Sequence, residues 1–162
     1  RLNMSMVGSF GFAKKSSYDI LQTSITTECF DTAKNTIEMI CSEMQDSSLE
    51  MELTTCSGEV FIALFHYFKI NHGVDVRNQE DFDKLGEIWR ETTGDFDIIP
   101  FTEKEREQLL SLSGTINFDK VMQFVDDFFQ ADYREAGKTA CDNLFENLRR
   151  QQPGYVLIWR LN

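Results

Sequence analysis

The sequence predicts an α+β fold: about six helices arranged around one buried helix, with a small sheet built from an N-terminal hairpin, a middle strand and a C-terminal strand. Three observations carry that reading. The run from Gly58 to Ile70 is the most apolar in the chain. Val60, Phe61, Ile62, Leu64, Phe65, Tyr67, Phe68 and Ile70 cover almost every direction of its helical wheel, and a helix apolar all round is a buried one. Several other segments repeat apolar residues at the 3-4 spacing of a helix. The C-terminal stretch from Tyr155 to Leu161 is apolar on both faces, the pattern of a strand in the middle of a sheet.

In chain order, Met6 to Phe12 reads as a weak strand, loosened by Gly8 and Gly11. Ser17 to Thr26, with Tyr18, Ile20, Leu21 and Ile25 among Ser and Thr, reads as the returning arm of a hairpin. Phe30, Ala33, Ile37, Ile40, Cys41 and Met44 form one face of a helix over about Glu28–Met44. Leu49 to Thr54 alternates at period two, as a strand with one wet face does. Ser57 caps the central helix, and Gly73 stops it because glycine takes φ > 0 without penalty.

Asn78 is placed to cap a helix running to Thr93, with Phe82, Leu85, Ile88 and Trp89 inward and a Glu80–Lys84 pair outside. Gly86 in its middle points to a close approach. Asp95 to Phe101 reads as an unusual loop, with large apolar residues where turn residues belong. Thr102 and Glu105 make a capping box for a helix to about Leu112. From Asn117 to Gln130 the wheel divides cleanly. Phe118, Val121, Met122, Phe124, Val125, Phe128 and Phe129 fill one side, with acids and amides on the other. Asp132 and Glu135 form a second capping pair for a helix over Tyr133–Arg150, whose Ala136, Gly137 and Ala140 let a neighbour pack closely. Residues 1–162 suit a single globular domain, expected to be a fragment of a larger protein because the chain starts at Arg1.

The net charge is −11, and it is uneven: residues 1–30 carry +1 and the remainder −12. An acidic body cannot neutralise phosphates or dock on anionic lipid, so neither nucleic acid nor membrane is an expected partner. The longest apolar run is also too short to span a bilayer, which takes ~20 residues. The charge keeps a domain with 14 phenylalanines in solution and is compatible with a basic protein partner. No secretory leader stands at the N-terminus, although Asn3-Met4-Ser5 matches a glycosylation sequon. Cys29, Cys41, Cys56 and Cys141 form no CxxC pair and no Cys/His ligand set, so no metal site is expected. Cys29, Cys41 and Cys141 sit in apolar helical patterns, as free thiols in a reducing, cytoplasmic or otherwise intracellular setting do.

Candidate chemistry is sparse. Cys56, just ahead of the central helix, stands where helix N–H groups and the dipole lower a thiol pKa. Its nearest histidine in sequence, His66, lies about 15 Å along that helix, too far to serve as its base. His66 and His72 are expected to be structural. Asp126 and Asp127 diverge by about 100° on their helix and face solvent. Thr102 to Phe124 has an EF-hand outline around Gly114, but Leu109, Ser111, Ser113 and Lys120 stand where calcium needs carboxylates and carbonyls. Tyr133 to Leu148 is similar in texture to the second helix of a double-stranded-RNA-binding domain, but the three strands that family places before it are missing.

The expected function is therefore a non-enzymatic interaction or assembly module with no cofactor. Its partner-binding candidates are Phe96, Ile98, Ile99 and Phe101, which form either an internal plug or an anchor for a partner. A cysteine-dependent enzyme using Cys56 is the alternative. A homo-oligomer joined through the phenylalanine face of residues 117–130 is the second alternative.

Overall fold

The computed structural model describes residues 6–47 and 58–162. Among these, seven helices and three strands follow one another as β1 (Gly8–Lys14), α1 (Lys15–Thr26), α2 (Phe30–Ser47), α3 (Glu59–His72), α4 (Phe82–Thr93), β2 (Asp97–Phe101), α5 (Glu103–Leu110), α6 (Phe118–Phe129), α7 (Arg134–Arg150) and β3 (Tyr155–Leu161). The fold is α+β and mostly helical. The expected middle strand, Leu49–Thr54, and Cys56 and Ser57 lie outside the described residues.

The sheet is antiparallel in the order β1-β3-β2, so the doubly apolar C-terminal strand is the central one. Trp159 sits in its middle row, opposite Phe10 on one side and Ile99 on the other. Because successive side chains alternate, each face of this sheet needs its own cover. Leu157, Trp159, Leu161, Ile99 and Phe101 join a core with α3, α5, α6 and α7. Ala13, Val156, Ile158 and Ile98 join a second core with α1, α2 and α4. The molecule is thus three layers with a core on either side of a small sheet.

Helix α3 is the buried element of the first core. Phe61 and Phe65 pack against Trp159 with ring centroids 5.8 and 5.1 Å away, and Phe65 lies 6.0 Å from Phe101. Such aromatic pairs add ~1 kcal/mol beyond the area they bury. Gly73 ends the helix at φ 68°, with its N–H on the Lys69 carbonyl and that of Val74 on Phe68.

Four expectations change. Residues 17–26 form a helix, not the return of a hairpin. Tyr18, Leu21 and Ile25 repeat at helical spacing and are buried with Ser17 and Ser24 along one stripe. The N-terminal strand pairs with β3 instead. The segment Asp95–Phe101 is not a loop, because Asp97–Phe101 is the edge strand β2. Pro100 donates no N–H, and an edge strand tolerates that. Helix α4 starts at Phe82 after Asp81 at φ 55°, so Asn78 is not its cap and Glu80 lies outside it. Residues 75–80 turn first: the Arg77 N–H is held by the Asp75 carboxylate at 3.0 Å, and Gln79 donates to the Val76 and Pro100 carbonyls. At α7 the capping pair yields to Asp126, whose Oδ1 accepts the Tyr133 N–H at 2.8 Å.

Candidate functional site

The four apolar candidates of the Asp95–Phe101 segment do not share one surface. Ile98 faces the second core, and Ile99 and Phe101 face the first; all three are buried. Only Phe96, 52% exposed, stands on the outside. It is held by its N–H on the Leu161 carbonyl at 2.8 Å. Beside it, Arg77 clasps Asp97 with bonds of 2.6 and 3.2 Å and lies over the Phe82 ring. The segment therefore packs the sheet through three side chains and presents one.

The thiols divide by environment. Cys29 is exposed in the turn before α2, not buried in it. Burial pushes the half-buried Cys41 thiol up against the opposing pull of Arg160, 3.8 Å from its sulfur. Burial pushes Cys141 up to about 12, with the Asp142 charge adding to it. Neither supplies thiolate at neutral pH. Among the described residues, no three His, Cys, Asp or Glu side chains cluster as metal ligands do.

His66, expected inside the core, is exposed. Its ring stacks on Phe128 of α6, centroids 5.5 Å apart. One turn further along α3, Ile70 lies on the same face and is 68% exposed. Phe128 is 45% exposed and continues into Phe124 and Phe129, at 6.4 and 5.0 Å between centroids. Phe129 in turn meets Tyr133 at 5.1 Å. Tyr67 closes the seam beneath, 5.6 Å from Phe124, with its hydroxyl 3.4 Å from His72 Nε2.

An apolar and aromatic ridge thus runs along α3 and α6 on the outside of the first core. Helix α6 explains why it is open. Its apolar arc is wider than the seam it packs into, so only Val121 and Val125 are fully buried while Phe118 and Phe128 stay on the surface. The purely apolar reading of α3 hid the other half. Glu59, His66 and Lys69 share one sector of its wheel with Ile62 and Ile70, and that mixed sector was the signal of an outer face.

No helix among the described residues is long and apolar enough to cross a membrane. No protein family, curated protein or solved structure matches the chain.

Proposed function

We propose that this chain is a non-enzymatic protein-interaction module that docks a basic amphipathic helix on the α3–α6 ridge. The observation that carries this reading is the exposure of Ile70 and Phe128 on either side of His66. Burying each such side chain is worth about 1.5–3 kcal/mol, so contiguous apolar residues of this size act as anchors. An exposed apolar seam between two packed helices suits a third helix laid along it. The net charge of −11 favours a cationic occupant over a second copy. A second copy brings the same charge and is repelled, whereas a cationic partner is steered in and held. Phe96, exposed at the start of β2, supplies a secondary contact. Three free thiols among the described residues suit work in a reducing compartment.

The test is fluorescence anisotropy with a labelled leucine–lysine amphipathic helix and its leucine–glutamate counterpart. The basic peptide binds and the acidic one does not. Phe128→Ser and Ile70→Ser each weaken binding about tenfold, ~1.4 kcal/mol, with unchanged thermal unfolding. Equal binding of both peptides, or none, rejects the reading. Light scattering across concentrations checks the second copy: a dimer lost in Phe128→Ser would replace the heterologous partner.

A further inference from the structure

Where α7 ends and the chain turns into β3, a cleft carries a charge opposite to that of the whole molecule. Its volume is about 570 Å³, within the range of small-molecule sites. Arg149, Arg150 and Gln152 line it together with Tyr155 and Phe12, and no acidic residue does. In a chain with 27 acids and 16 bases, a wall with two guanidinium groups and no carboxylate is a local inversion of charge. Among the described residues neither arginine has an ion-pair partner, and Glu146, one turn back on α7 and exposed, bridges to neither. Lys14 adds a third cation at the same edge. It stands opposite Tyr155 in the sheet register and shares with Phe12 one face of β1, because side chains two apart on a strand point the same way. Two acids at that edge already have partners. Asp19 pairs with Lys15 at 2.9 Å, and Glu43 accepts the Lys14 N–H at 3.2 Å and the Ser17 hydroxyl at 2.9 Å.

Hydrogen bonds hold the wall in place. Gln151, 8% exposed, donates its side-chain amide to the Phe101 carbonyl at 3.3 Å and to the Tyr155 carbonyl at 3.1 Å. The Tyr155 N–H closes the turn on the Gln152 carbonyl at 3.2 Å, and the Lys15 N–H holds the Gly154 carbonyl at 2.8 Å. Within this frame the Tyr155 ring is 42% exposed and packs on no other ring among the described residues. An open aromatic face therefore stands beside two unpaired guanidinium groups.

We propose that this cleft binds a small aromatic anion, a planar ring carrying a carboxylate or a phosphate. A guanidinium has five donors and no acceptor, and its fork matches the oxygens of either group. The Tyr155 ring takes the planar body of the ligand by offset or edge-to-face stacking. Arginines in a last turn also meet the negative end of the helix dipole, but that end amounts to only about half a charge, so two guanidinium groups leave a positive excess. The overall charge of −11 limits the size of the ligand. A long polyanion runs out over acidic surface, whereas a small anion feels chiefly the charges within a Debye length, ~8 Å at physiological salt. The inference does not rest on the α3–α6 ridge.

The experiment is an amide-resolved NMR titration of the whole chain with phenyl phosphate, benzoate, inorganic phosphate and benzyl alcohol. The two ring anions shift the signals of residues 12–14 and 149–155, and the neutral alcohol does not. Tighter binding of phenyl phosphate assigns a phosphate ligand, and tighter binding of benzoate assigns a carboxylate. Arg149→Gln and Arg150→Gln each weaken the ring anions about tenfold, and Tyr155→Leu weakens them about fivefold while leaving inorganic phosphate unchanged. Arg90→Gln, which removes an exposed arginine from the last turn of another helix, α4, leaves binding as it was. The site is rejected if neither ring anion shifts these signals, if inorganic phosphate or benzyl alcohol binds as tightly as the ring anions, or if folded Arg149→Gln and Arg150→Gln both bind as wild type.

Discussion

Asp95 illustrates how a single charge is held inside this protein. It is buried, accepts the Trp89 indole N–H at 2.7 Å and pairs with Arg160, whose Nη2 lies 2.9 Å from Oδ1 and Nε 2.8 Å from Oδ2. Replacing one member of a buried pair strands the other without a counter-charge. Asp95→Ala is therefore expected to lower unfolding stability by about 3–5 kcal/mol in urea titrations. Asp95→Asn, which keeps the acceptor for Trp89, should cost less. The cysteines give a second residue-level prediction. Iodoacetamide at neutral pH should label exposed Cys29 readily and leave buried Cys141 intact until the chain unfolds, as read by peptide mass mapping. None of this is visible in one dimension, because Asp95 and Arg160 are far apart in sequence and meet only when β2 pairs with β3.

At the scale of elements, the glycines of β1 change meaning between sequence and structure. In sequence they weaken a strand. In the folded molecule a Cβ on Gly11 would stand 2.7 Å from Met44 Cβ, and one on Gly8 would stand 2.8 Å from both Phe61 and Trp159. The two glycines face opposite layers and let a helix approach the sheet on each side. Gly11→Val should destabilise by about 1–3 kcal/mol through overpacking, measured by chemical denaturation. Helix boundaries set by local chemistry were legible in advance at the capping box of Thr102 and Glu105 and at the Gly73 stop, whereas the Asn117 cap, whose side chain accepts the Lys120 N–H at 3.3 Å, emerged only in the structure. The segment 17–26 was misread because β-branched and hydroxyl residues favour strands locally. Its Tyr18-Leu21-Ile25 spacing is helical, and burial of that stripe under α2 outweighs the propensity.

At the scale of the molecule, two buried acids link folding to alkaline pH. Burial raises Tyr18 well above its usual range and Cys141 from 9.0 to about 12. Both folded values exceed the unfolded ones, so the folded state holds protons that the unfolded chain has released. Their stabilisation is complete below about pH 9 and is lost as pH rises towards 12. Urea midpoints should fall across that window, and Cys141→Ala should flatten the lower part of the fall. The acidic surface acts in the same direction, since self-repulsion grows as lysines neutralise.

The sequence by itself determined the fold class, the core-facing side of the central helix though not its exposed outer face, the central place of the C-terminal strand and most helix ends. These follow from periodicity, two-sided apolarity and capping chemistry, all of which act between near neighbours. Tertiary structure alone decided which apolar residues remain outside. Helix α6 offers more apolar surface than α3 and α7 can cover, so Phe128 stays on the ridge, while Ile98, Ile99 and Phe101 disappear into two cores because β2 needs cover on both faces. Burial depends on how much partner surface each side chain meets, and pairwise spacing along a chain does not contain that quantity.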